Sequence, residues 1–138
     1  MSGILPTAAE SDTLTDMIAS LLSSWRAALF SANLTPGAAT TLPTLLADEA
    51  SFTGYSRVVL STWSAVTIDG TTAAIATSTQ AQFTPTAGGG SGNLYGYFLV
   101  NALATKFFGV ERFPSAPLVV AQNVTLEIDI TYSCITRF

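Results

Sequence analysis

Apolar positions are densest between Leu94 and Phe113, and their spacing there is that of strands. Leu94, Tyr95, Tyr97, Phe98, Leu99 and Val100 put large groups on both sides of a period-2 ribbon, where a half-solvated strand would alternate apolar with polar. Both faces of this strand must therefore be covered. The connection at Asn101 to Thr105 predicts a hairpin into Lys106 to Phe113, with Phe107 and Phe113 on one side and Phe108 and Val110 on the other.

Elsewhere the pattern changes period. Residues 1–10 carry Gly3 and Pro6 and no clear period, so they read as an extended N-terminal arm bearing Ile4 and Leu5. From Ser11, the spacing of Leu14, Met17, Ile18, Leu21 and Leu22 predicts one short helix, with Asp12 and Asp16 near its start. Alternation begins at Trp25 and predicts a first strand to Ala32. Asn33 to Glu49 holds Pro36-Gly37 and Pro43, and reads as a long connection pinned by Leu42, Leu45 and Leu46.

Phe52 to Trp63 reads as a strand with Tyr55, Arg57, Val59 and Trp63 on one side and Val58 and Leu60 on the other, and Gly54 marks a bulge or a close backbone approach. Asp69-Gly70 is the strongest turn signal: a two-residue type I′ turn would set Ile68 opposite Thr71 and Val66 opposite Ala73, with one long return strand through Phe83. Pro85 to Asn93, with Gly88-Gly89-Gly90, reads as a flexible hairpin loop rather than a phosphate cradle, because a strand and not a helix follows it. Pro114 and Pro117 precede a short edge strand, Leu118 to Ala121. The last strand sets Val124, Leu126, Ile128, Ile130 and Tyr132 inward and Thr125, Glu127, Asp129 and Thr131 outward. Strands without intervening helices predict an all-β fold, a β-sandwich with a jelly roll as one way of connecting it, one short N-terminal helix and an extended arm. The 138 residues make residues 1–10 an arm and 11–138 a single domain, with no internal repeat.

Composition sharpens this picture. The chain is 49% hydrophobic but only 10% charged, against about 25% in an ordinary soluble domain. Such a surface predicts burial against other protein. A net charge of −4 and the scattering of Arg26, Arg57, Lys106, Arg112 and Arg137 argue against a nucleic-acid partner. Asp16 and Arg26 interrupt the Leu14 to Leu34 segment, which argues against a membrane span, and no basic leader precedes it, so synthesis in cytoplasm is expected. The single Cys134, on the parity of Ile130 and Tyr132, reads as a small buried hydrophobe.

Candidate chemistry is sparse. With no histidine, His-dependent triads and zinc motifs are absent. The remaining acids are Asp48-Glu49, Glu111 and the pair Glu127 and Asp129; two apart on one strand, that pair lies roughly 6 to 7 Å apart, within the range of glycosidase carboxylates. Its ordinary meaning is a solvated strand face, so an enzyme is not expected, nor a cofactor or metal. Tyr55, Trp63, Tyr95 and Tyr97 would form a sugar-stacking platform if exposed together, which keeps a carbohydrate-binding module open; core packing is their plainer reading.

The segments Trp25-Arg26-Ala27-Ala28-Leu29-Phe30, Phe52-Thr53-Gly54-Tyr55, Tyr95-Gly96-Tyr97-Phe98-Leu99 and Glu111-Arg112-Phe113 resemble those of small tailed-bacteriophage virion proteins. The resemblance implies a capsid decoration, or cement, protein on the outside of a phage head, a homotrimer clamping neighbouring major capsid protein subunits. A head-fibre or tail-associated protein is the related alternative. Ile4, Leu5, Leu42, Leu45 and Leu46 are the expected contacts with the capsid or with other copies, because they place apolar groups on the arm and the long connection.

Overall fold

The structure, a computed structural model, describes residues 25–60, 63–69, 73–78 and 80–135. The expected arm and N-terminal helix lie outside them. The described chain runs β1 (Arg26–Phe30), α1 (Leu42–Ala47), β2 (Val58–Val59), β3 (Thr67–Asp69), β4 (Ala73–Thr77), β5 (Ala81–Phe83), β6 (Asn93–Leu94), β7 (Gly96–Val100), β8 (Phe107–Arg112), β9 (Leu118–Val119), β10 (Leu126–Ile128) and β11 (Thr131–Ile135). It is all-β, and every pairing is antiparallel.

The central sheet has the order β2-β1-β7-β8, and its middle strands are covered on both sides as their composition demands. Trp25, Ala27, Leu29 and Leu99 meet Leu60, Phe83, Ile128 and Ile130 on one side. Ala28, Phe30, Phe98 and Val100 meet Leu45 of α1 on the other. Each large side chain buried this way contributes about 1.5–3 kcal/mol.

The β7–β8 hairpin forms where the pattern placed it, but its faces differ. Leu99 pairs with Gly109 while Val100 pairs with Phe107, so Phe108 is the extra residue of a bulge. Phe108 therefore parts from Val110 and stacks on Trp25, with ring centroids 4.0 Å apart and planes at 7°. It shares that side with Phe113, against the expected division. The connection is tied by Asn101, whose Oδ1 accepts the N–H groups of Thr105 and Lys106 at 2.8 and 2.9 Å.

The hairpin at Asp69 is a second correction. Asp69 pairs with Ala73 and Ile68 with Ala74, which leaves three residues in the connection instead of two. Asp-Gly also suits longer hairpin loops, so the dipeptide locates a turn without counting its residues. The expected long return strand divides in two, β4 pairing with β3 and β11, and β5 with β10. At the break the Ser78 N–H donates to the Ile130 carbonyl at 2.9 Å, and the register slips by one residue between Ala81↔Ile128 and Thr77↔Thr131. The last strand divides at the same place. Ile128 and Ile130 are buried and Glu127, Asp129 and Thr131 exposed, as the alternation requires, but Val124 is 51% exposed. Cys134 stands opposite Ala74 in β11; its side chain lies outside what the structure describes.

Residues 52–63 depart furthest from expectation. A turn closes from the Tyr55 N–H to the Phe52 carbonyl at 2.9 Å, and among the described residues of this stretch Val58 and Val59 form the strand β2 while Trp63 makes an isolated bridge to Ser78. Tyr55, Val58, Leu60 and Trp63 all join one core cluster, so the expected alternation is lost. Gly54 is a close approach: at φ +91°, a Cβ there would lie 2.8 Å from Thr86 Oγ1 and 2.9 Å from the Thr84 carbonyl oxygen.

Candidate functional site

Leu42, Leu45 and Leu46 recur at i, i+3 and i+4, and the segment folds as the helix α1, with Pro43 in its first turn where a missing N–H costs nothing. That helix turns its apolar face onto the central sheet. Leu45 is fully buried, and Leu42 and Leu46 are half-buried beside it, so Leu45 belongs to the chain's own core and offers no surface to another protein. Ile4 and Leu5 lie outside the described residues.

The acids separate into two groups. Glu49 follows α1 and bridges to Phe30, continuing along the edge of β1 that β2 leaves uncovered. Its carboxylate takes a two-point fork from Arg57, Nε to Oε2 at 2.8 Å and Nη2 to Oε1 at 2.7 Å, and the Tyr55 hydroxyl donates to Oε2 at 2.6 Å. The same hydroxyl accepts the Leu29 N–H at 3.1 Å. One residue of side-chain chemistry thus satisfies a strand amide that has no strand opposite it. Burial pushes the Glu49 carboxyl up, but the Arg57 and Tyr55 hydrogen bonds and the Arg57 charge outweigh it and hold the group below its ordinary value. Burial, then the hydrogen bond to Glu49, pushes the Tyr55 hydroxyl well above its own.

A lowered folded-state value means that Glu49 stabilises the fold above its unfolded titration and that this contribution is lost as pH falls through the folded one. Glu49→Gln is expected to cost about 1–3 kcal/mol at neutral pH and to flatten the decline in stability between about pH 5 and pH 3. Urea unfolding across that range measures it; parallel pH profiles for parent and variant would contradict the assignment.

Glu111 and the pair Glu127 and Asp129, remote from it in sequence, meet around one open cleft of about 270 Å³ lined also by Tyr97, Phe113 and Leu126. The Tyr97 hydroxyl donates to Glu111 at 2.8 Å, and the Gln82 amide to Glu127 at 3.3 Å. Burial, followed by the bond to Glu111, raises the Tyr97 hydroxyl above its ordinary value. All three acids are exposed, and among the described residues the only ion pair is that of Arg57 with Glu49. No group of acids, cysteines or histidines among the described residues is placed to hold a metal ion.

The four aromatics do not form a platform. Tyr55, Trp63 and Tyr97 pack against one core cluster and Tyr95 against the other, where the Arg112 guanidinium sits 5.3 Å from its ring centre. The central sheet divides them: Tyr97, within β7, lies on the side of Trp25 and Leu99, whereas Tyr95, one residue before β7 begins and outside its alternation, lies on the side of Phe30 and Phe98. Exposed apolar groups are instead Leu103 at 82%, Val119 at 60%, Val124 at 51% and Val59 at 43%. Compared with known proteins, the chain matches no family model, no curated protein and no solved structure.

Proposed function

We propose that this chain is a structural virion protein of the decoration type, which binds the outside of a phage head and bridges major capsid subunits. The carrying observation is a surface that is poor in charge and still exposes apolar side chains. Only 10% of residues are charged, while Leu103, Val119, Val124 and Val59 stand in solvent around a filled core. Protein contact covers such groups without the cost of stripping water from many ions. The segments that carry the resemblance to tailed-phage virion proteins are largely structural: Trp25, Ala27, Ala28, Leu29, Phe30, Phe98 and Leu99 are buried in the central sheet. They describe a scaffold, with no catalytic step attached to it.

The architecture of this reading is a two-layer sandwich. Its support is the packing of Leu29 and Leu99 of the central sheet against Phe83, Ile128 and Ile130 of the second set of strands. Ile4 and Leu5 of the arm, with the exposed apolar residues, supply contacts between copies, and closed threefold symmetry lets three identical chains cover them. Light scattering on the purified protein is expected to give the mass of a trimer. A monomer at all accessible concentrations would remove the oligomeric part of the proposal.

A further inference from the structure

We infer that the cleft between the 51–53 turn and the glycine-rich turn at 87–92 binds an uncharged saccharide. This site is separate from the acidic cleft and independent of the proposed virion role. It is an open cleft of about 340 Å³, at the lower end of the roughly 300–1,000 Å³ typical of small-molecule sites. Ser31, Ser51, Thr53 and Ser91 line it with Phe52, Ala50 and Ala87 and the glycine backbone, and no charged residue does.

The hydroxyls are of two kinds. Ser91 is fixed, its Oγ donating to the Gly92 carbonyl at 2.7 Å and accepting the Val120 N–H at 2.9 Å. Ser31 Oγ donates to the Asp48 carbonyl at 3.2 Å and keeps acceptor capacity. Ser51 and Thr53 are exposed, and their hydroxyls bond to nothing among the described residues. Gly88, Gly90 and Gly92 likewise present N–H groups that find no acceptor among those residues. Uncharged hydroxyls and backbone N–H groups, with the partly buried Phe52 among the lining residues, match the alternating hydroxyls of a neutral sugar. A phosphate or carboxylate would find no cation here.

The walls are already in place, which lowers the ordering cost of binding. The Thr86 N–H bonds the Thr53 carbonyl at 3.0 Å and the Ser91 N–H the Val120 carbonyl at 2.8 Å. The Gly89 N–H donates to Gln122 Oε1 at 3.3 Å. Phe52 stands edge-on to Tyr55, with ring centres 5.3 Å apart at 66°. Gly88, Gly89 and Gly92 adopt positive φ with open space where a Cβ would stand, so the rim is bare backbone.

The test is a titration of the full chain, followed by amide NMR shifts, with D-glucose, D-galactose, N-acetyl-D-glucosamine, maltose, lactose and D-glucuronate. Saturable, salt-independent shifts confined to 51–53 and 87–92 are expected for at least one neutral sugar. Binding of monosaccharides identifies a free sugar as sufficient; binding of disaccharides alone identifies a longer chain, and either supports the inference. Ser51→Leu and Ala87→Leu, at exposed positions on opposite walls, should each weaken that binding at least tenfold while leaving the unfolding midpoint near the parent's. Absence of shifts with every neutral sugar, shifts at Tyr97 and Glu127 instead, tighter binding of glucuronate, or unchanged affinity in both variants would overturn it.

Discussion

Gly96→Ala is expected to be the most damaging small substitution in the central sheet, lowering stability by about 3 kcal/mol. Gly96 pairs with Phe30 on one side and Arg112 on the other. A Cβ at this position would overlap the Glu111 carbonyl oxygen and come within 2.5 and 2.6 Å of the Phe30 ring. Neither neighbour yields easily, since the carbonyl belongs to a paired strand and Phe30 is fully buried beneath α1. Gly109, in the neighbouring strand β8, has nothing within 4 Å of the same hypothetical atom, so Gly109→Ala should stay within about 1 kcal/mol of the parent. Urea midpoints for the two variants measure the contrast. Equal midpoints would mean that β1, β7 and β8 do not approach one another as described.

Leu45→Ala should cost about 2–4 kcal/mol, through lost apolar burial and the cavity left between α1 and the sheet. Leu45 is fully buried against Phe30, Phe98 and Val100. Leu103, at 82% exposure on the β7–β8 connection, serves as the contrast: Leu103→Ala should change stability by less than about 0.5 kcal/mol. If Leu45→Ala were as mild, the long connection would not be fixed to the sheet, and Leu45 would be available to another protein after all.

The central hairpin was legible because a strand apolar on both faces has few ways to be satisfied. Asn101 to Thr105 marked its turn, and Phe98 and Leu99 announced two buried sides. The bulge that moves Phe108 away from Val110 left no mark, since it depends on how Trp25 packs from another strand. The Leu42, Leu45 and Leu46 tuck was visible as an apolar cluster, though not as a helix, because six residues hold less than two turns of periodicity. Counting the residues at Asp69-Gly70 needed the pairing of Asp69 with Ala73, which no local signal encodes. The Glu49, Tyr55 and Arg57 network was hidden for a similar reason: three polar residues across a turn carry no period. The cleft of Glu111, Glu127 and Asp129 draws on two different sheets, so only the paired acids of the last strand could be seen in advance.

The proposed role as a coat component acting by contact is tested by sedimenting purified protein with tailed-phage heads that lack it. The protein is expected to pellet with the heads in saturable amounts, and deleting Met1 to Ala9 to weaken this binding while the β-domain keeps its unfolding midpoint. Full-length protein that remains in the supernatant as a folded monomer would contradict it.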